Sequence, residues 1–311
     1  MEEYNIGHVE MKYKLIKRKH HREISCECFE ELKSNKELLV DALFVEEKYN
    51  LVIENYSEFE LELLANKVRN MLFHDHDWSS AISEMYLINR RIVNLLTTCR
   101  LYTDQISHHL HTIYGSESEQ LKEFKAQLSH EYDSFFGYRV MEAMRNYVQH
   151  RGLSIGQIIN RSQLVENEGQ ERRKHTIKLL IDVATIEQDG GFKTAVLAEL
   201  NDQGTSVEFI PLIRQYIESI GRIHLKVREL IEVDLLKADD NLMQAINLYE
   251  ESTNDILRDP VKAVALSIDS STCIESFVIF DDLIEHRKML ECKNSHPNYS
   301  HHFVSSEAPE L

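Results

Sequence analysis

The sequence predicts a mainly α protein: a long antiparallel helical hairpin bundle followed by an α-rich region with a few strands. Three observations point to that class. Proline is absent before Pro211 and only ten glycines occur in 311 residues, so nothing interrupts long helices across the first two thirds of the chain. Apolar residues there recur at steps of three and four, the period of a helix with one buried face. The glycines Gly115 and Gly152 fall where such a pattern stops, the position a helix C-terminus favours.

Residues 1–50 form an N-terminal segment whose structure the pattern leaves open. Its basic cluster (Lys12, Lys14, Lys17, Arg18, Lys19, Arg22) reads as a solvated face. The bundle is expected over residues 51–160. A first helix carries Phe59, Leu63, Leu64, Val68, Met71 and Leu72 behind a Ser57-x-x-Glu60 capping box. A second, from about Ser80 to Tyr114, carries Ile82, Met85, Ile88, Ile92, Leu96, Cys99, Ile106, Leu110 and Ile113. A third opens at a Ser116-x-x-Glu119 box and runs to His150, with Leu121, Phe124, Leu128, Phe135, Val140, Met144, Tyr147 and Val148 on its apolar side.

The joint at Gly115 and Ser116 is short, so the second and third helices should fold back on each other with facing residue numbers that sum to about 231. Residues 161–311 form the α-rich region. Ile177, Leu179, Ile181 and Val183 alternate with polar neighbours as a strand closed by Asp189-Gly190-Gly191. Helices are expected near 193–201, 207–236 and 242–254, with a second strand near 276–280 and a frayed polar tail.

Composition excludes several classes. Hydrophobic residues at 42% with charged residues at 28% describe a globular rather than a disordered chain. No uncharged apolar run approaches the roughly 18 to 20 residues that cross a bilayer, and Met1-Glu2-Glu3 is not followed by an apolar signal segment. The expectation is a cytoplasmic protein with no membrane partner. Cys26, Cys28, Cys99, Cys273 and Cys292 form neither a disulfide framework nor paired zinc-finger ligands. A formal charge of −17 argues against sequence-independent coating of DNA, and leaves room for a local basic cleft. Walker loops, dinucleotide glycine patterns, nucleophile elbows and Cys-x-x-Cys pairs are absent from the sequence, and no cofactor is expected.

One motif occurs twice, as Arg69-Asn70-Met71-Leu72-Phe73-His74 and as Arg145-Asn146-Tyr147-Val148-Gln149-His150. Requiring Asn after Arg and His five after Arg gives a chance expectation of roughly 0.05 for this composition, and two copies stand in the chain. On a helix Asn146 lies one turn below His150, and Arg145 reaches round on its long side chain. Arginine offers a planar double donor to phosphate oxygens, imidazole moves protons near neutral pH, and an amide orients either. The last helical turn also favours imidazolium, although basic residues are common there for dipole reasons alone. Glu142, Arg139 and Arg151 flank the second copy as supporting residues, with Glu142 at helical spacing from Arg145 and Asn146. The hairpin register would gather both copies at one end of the bundle, near Arg90 and Arg91.

A long helical hairpin ending in Met144-Arg145-Asn146-Tyr147-Val148-Gln149-His150-Arg151-Gly152 resembles the HEPN superfamily, over roughly residues 50–160. The resemblance implies a metal-independent endoribonuclease, a toxin or antiphage defence effector, in which the RNA 2′-hydroxyl attacks the adjacent phosphate. It implies that Arg145 stabilises the phosphorane, Asn146 positions it and His150 is the general acid or base. Two copies of the motif are then expected to meet, either across a homodimer or with Arg69, Asn70 and His74 as a second half-site in the same chain. An antitoxin or activator protein is a further expected partner. The Tyr that follows the His in one nucleotidyltransferase-paired branch is replaced by Arg151-Gly152.

Rival readings remain open on the residues themselves. His74-Asp75-His76-Asp77, or Cys292 with His296, His301 and His302, could hold a divalent metal, though loop and tail positions make solvated side chains the plainer account, and no metal is assigned. The alternative reading makes the chain a noncatalytic helical module that binds RNA or a protein through its basic end.

Overall fold

The structure, a computed structural model, describes residues 11–17, 20–73, 77–167, 170–253, 260–267, 272–302 and 304. In chain order these form β1 (Met11–Lys17), β2 (His20–Ile24), α1 (Cys26–Leu72), α2 (Trp78–Tyr114), α3 (Glu119–Ser134), α4 (Phe136–His150), β3 (Gln157–Asn167), β4 (Gln170–Asp182), α5 (Val183–Asp189), α6 (Thr194–Gln203), β5 (Ser206–Glu208), α7 (Phe209–Thr253), β6 (Val261–Ser267), β7 (Cys273–Ile279) and α8 (Asp282–Lys293), with a 3-10 turn at Tyr299–His301. The chain is mainly helical, with its described strands in two small antiparallel sheets. No described helix is long and apolar enough to cross a membrane.

Two compact units share the chain, residues 1–47 with 228–293 and residues 48–227 with 294–311, and α1 and α7 contribute to both. Each of these helices is longer than the sequence pattern suggests. Ser57-x-x-Glu60 lies inside α1 and caps nothing, because the buried stripe already runs upstream through Tyr49, Val52 and Tyr56. Glu60 is used across the fold, accepting from Arg214 Nε and Nη2 at 2.8 Å each. Likewise the helices expected at 207–236 and 242–254 are one, α7. Its polar stretch stays helical because Asp239 is buried against Arg287 Nη2 at 2.6 Å, between the buried Ala238 and Leu242.

In the unit of residues 1–47 and 228–293, the strands order as β2-β1-β6-β7. Leu15, Ala263, Ala265 and Ile279 lie in its core. The basic cluster of β1 and β2 is not simply a solvated face. Lys17 is buried with Glu250 at 3.9 Å, and Arg22 donates to the Leu248 carbonyl at 2.8 Å. Arg18 and Lys19 lie outside the described residues.

The unit of residues 48–227 and 294–311 holds the repeated motif. Gly115, at φ 90°, ends α2 and donates its N–H to the His111 carbonyl. The chain then turns through Ser118, whose hydroxyl caps Leu121 N–H; the cap is thus two residues later than the Ser116 box suggests. At the level of α3 the hairpin keeps the expected register, with Asp104 and Ser107 facing Lys125 and Leu128 across an open cleft of about 470 Å³.

The third predicted helix is broken, however. Phe135 takes an extended conformation (φ −120°, ψ 115°) between α3 and α4. Arg139 Nη1 caps the Tyr132 and Asp133 carbonyls at 2.8 Å each, and Gly137 N–H donates to Gln215 Oε1 of α7 at 2.6 Å. No glycine or proline announces a break at Phe135 itself; it is made by tertiary partners.

Beyond the break, α4 meets α2 about ten residues out of the expected register. Glu142 lies 3.7 Å from Arg100, and Asn89 Oδ1 accepts from Ser154 Oγ (2.9 Å) and Ile155 N–H (3.1 Å). Buried residues of α2 accordingly begin at Ile88. Val68, Met71 and Leu72, expected on a buried face, are exposed, together with Phe73, Trp78 and Tyr86.

Gly137 fits the junction because it lacks a side chain. A Cβ there would lie 2.8 Å from the Leu212 carbonyl oxygen and 2.7 Å from Gln215 Oε1. Gly137→Ala should therefore destabilise the protein by about 1–3 kcal/mol, measured as a lowered urea midpoint at unchanged m-value.

Candidate functional site

Helix α4 presents two faces. Val140, Met141, Met144 and Tyr147 are buried, whereas Asn146, Gln149 and His150 are exposed and Arg145 is half-buried. Arg151 ends the helix, donating its N–H to the Tyr147 carbonyl at 2.8 Å.

This end is docked rather than frayed. Tyr147 Oη donates to Asp189 Oδ2 at 2.6 Å, its ring meets the edge of Phe192, and Gly152 leaves room for its hydroxyl. Gly191, at φ 84°, lies against the Arg151 side chain. Burial, and then the hydrogen bond and charge of Asp189, push the Tyr147 phenol up from 10.0 to about 12. An unfolded chain loses that proton first as pH rises, so this contribution to stability is present below pH 10 and lost towards pH 12. The stability difference between the wild type and Tyr147→Phe should therefore narrow across that window in urea titrations at stepped pH.

Within the motif, Arg145 Nη1 donates to Asn146 Oδ1 at 3.0 Å, and Arg145 Nε is buried with no hydrogen-bond partner. Glu142, expected to pair with Arg145 or Asn146, is engaged elsewhere. Tyr216 of α7 donates to it at 2.9 Å and Arg100 of α2 stands at 3.7 Å. Arg139 is likewise committed, to Glu199 at 2.7 Å and to the end of α3. Two of the three supporting residues thus hold the helix in place, and Arg151 alone is exposed.

The first copy of the motif stands apart. Arg69 pairs with Glu62 (3.0 Å) and Glu84 (3.7 Å), and Asn70 Nδ2 donates back to the Asn66 carbonyl at 2.9 Å. His74, with Asp75 and His76, lies outside the described residues. Arg69 is level with Glu84 on α2, while the end of α4 lies between the levels of Asn89 and Arg100. Interpolation between these pairs sets His150 abreast of residue 93, about 13 Å further along α2 than Arg69 at about 1.5 Å per residue. The structure does not bring Arg69 and Arg145 together.

Charge pairing then separates the arginines of this unit into two groups. Arg69, Arg91, Arg100, Arg139, Arg214 and Arg222 each hold a carboxylate. Among the described residues, Arg145, Arg151, Arg161, Arg172 and Arg173, together with Arg90 on α2, have none. Every arginine from the end of α4 to the middle of β4 is therefore unneutralised on a protein of charge −17.

Three of these, Arg161, Arg172 and Arg173, are residues that the sequence reading missed. The run Arg172-Arg173-Lys174-His175 was visible, but nothing in the pattern marked β3 as the partner that would set it on a ribbon. No described group of three or more His, Cys, Asp or Glu is placed to share a metal ion, and Cys292, His296, His301 and His302 form no such group. Comparison with protein-family models, with curated proteins and with solved structures gave no match.

Proposed function

We propose that the chain is an endoribonuclease that works without metal, with the reacting phosphodiester held at the end of α4. The observation that carries this reading is the unpaired arginine set around Arg145-Asn146-x-x-x-His150, which leaves donors for a phosphate where, among the described residues, every other helix arginine but Arg90 is neutralised. In the reaction the RNA 2′-oxygen bonds to phosphorus, the bond to the 5′-oxygen breaks, and a 2′,3′-cyclic phosphate and a 5′-hydroxyl result. One proton leaves the 2′-hydroxyl and one joins the 5′-oxygen.

Arg145 would neutralise the phosphorane, Asn146 would hold the guanidinium or phosphate in line, and His150 would carry one of the two protons. A second acid or base, in this reading the imidazole of another motif copy, would carry the other. The commitment of Arg69 to Glu62 and Glu84, and its distance along α2, favour a second chain over the first motif copy as its source.

End-group analysis tests the reaction: purified protein on mixed RNA in EDTA should leave cyclic phosphate and 5′-hydroxyl ends. RNA that is bound and left intact would move the assignment to a noncatalytic RNA-binding module, a reading favoured by the openness of the motif and by the bond that already occupies Arg145 Nη1. Cleavage that stops with EDTA would move the chemistry to His74-Asp75-His76-Asp77.

A further inference from the structure

Strands β3 and β4 pair over their whole lengths, from Gln157↔Leu180 to Asn167↔Gln170, while β5 joins β4 only at Leu180, Ile181 and Asp182. Beyond that base the hairpin is a two-stranded ribbon about 30 Å long, at about 3.3 Å per residue. Its two faces differ. Ile177, Leu179 and Ile181 of β4 point into the core, so the alternate residues Arg172, Lys174, Thr176 and Lys178 point the other way, beside Val165, Gln163, Arg161 and Ile159 of β3.

This outward face carries four cations and no described carboxylate within the ribbon. Lys178 is neutralised by Glu208 at 2.8 Å. Arg161, Arg172 and Lys174 have no described partner. The distal part of the opposite face is mixed, with Arg173 and His175 among Glu166 and Glu171.

We propose that this face of the ribbon binds the phosphate backbone of single-stranded RNA, as an arm beside the end of α4. The proposal rests on the RNA reading given above and adds a binding surface to it. Same-face cations on one strand stand about 6.6 Å apart, two residues of rise, in a row suited to successive phosphates of an extended strand. The ribbon has no Phe, Tyr or Trp, hence no platform for stacking bases, so its contacts read charge and not sequence. Cations on exposed strand edges also guard against strand pairing between molecules, but either sign of charge would serve that purpose.

The test uses the full chain, a fluorescent 2′-O-methylated oligouridine that lacks the attacking hydroxyl, and polarisation measured over a salt series. Reversing the three charges together (Arg161→Glu, Arg172→Glu, Lys174→Glu) is expected to weaken binding at least about tenfold in low salt. The slope of log affinity against log salt should fall by about 2, at about 0.7 for each lost phosphate contact on a single strand. Lys174→Glu alone should remove about 0.7 of that slope, which keeps the result readable if the triple variant folds poorly.

Affinity and slope unchanged in both variants would overturn the arm. So would a wild type that fails to bind the oligouridine. Neither result touches the cleavage reading, which is scored separately by the ends left on unmodified RNA.

Discussion

His150→Ala is expected to slow RNA cleavage by roughly a hundredfold to ten-thousandfold, the usual contribution of a positioned acid or base, while thermal stability stays at the wild-type value. The two halves of this result have separate causes. His150 is exposed in the last turn of α4 and makes no described side-chain hydrogen bond, and the helix end is held by Tyr147 on Asp189 and by Gly191 against Arg151. Removing its ring therefore costs the fold within about 0.5 kcal/mol.

Arg145→Ala should also stop cleavage, through loss of the guanidinium proposed to neutralise the phosphorane. Asn146→Ala should act more weakly, because it removes one acceptor and frees Arg145 Nη1. Arg69→Ala separates the two ways of completing the site. If a second chain supplies the other half, this variant cleaves at close to the wild-type rate and activity per chain falls on dilution. If the first motif copy supplies it, activity per chain is independent of concentration and Arg69→Ala is inactive. Rates measured over a dilution series, with melting curves for each variant, check the set.

Local pattern made part of this arrangement legible, and tertiary contacts made the rest. The span of α2 could be read because Gly115 and the step of three and four are properties of neighbours in the chain. The position of the motif on the last turn of α4 could be read for the same reason. Its distance from the first copy could not. That distance depends on the break at Phe135, which Arg139, Gln215 and Arg222 create, two of them from a helix more than 70 residues downstream.

The strand showed in the sequence from Ile177 to Ile181 because one of its faces is buried. It stops at Asp182, however, and is not closed by Asp189-Gly190-Gly191: the Asp182 carboxylate accepts from Thr185 N–H and caps α5, which Val183 opens. The distal ribbon did not show, since both faces are largely exposed and no alternation of hydrophobicity marks them. The Ser57-x-x-Glu60 box misled because a capping pattern has meaning only where the preceding residue leaves the helix, and here the helix had begun at Cys26.

Arg222→Ala is expected to cost about 3–5 kcal/mol, the loss that follows when one member of a buried ion pair is removed. Glu131 has no exposed surface, and its carboxylate accepts from Arg222 Nη2 at 2.7 Å, from Arg222 Nε at 3.0 Å and from Gln127 Nε2 at 2.8 Å. The guanidinium also donates to Glu218 at 3.0 Å and to Ser219 Oγ at 2.8 Å, and it sits 4.0 Å over the Phe135 ring. Alanine leaves Glu131 with the Gln127 amide as its only described partner, and uncovers the ring at the α3–α4 break.

Arg222→Lys should recover only part of the loss, since an ammonium does not reproduce the planar double donor. Replacing both partners by leucine should cost less than Arg222→Ala alone, because no buried charge is then left without a counterion. Urea denaturation of the three variants gives the comparison. Because the same junction sets where α4 meets α2, Arg222→Ala should also slow RNA cleavage, although Arg222 lies on α7 and the proposed reacting groups are on α4. A double variant that restores stability should restore cleavage with it if position is the cause.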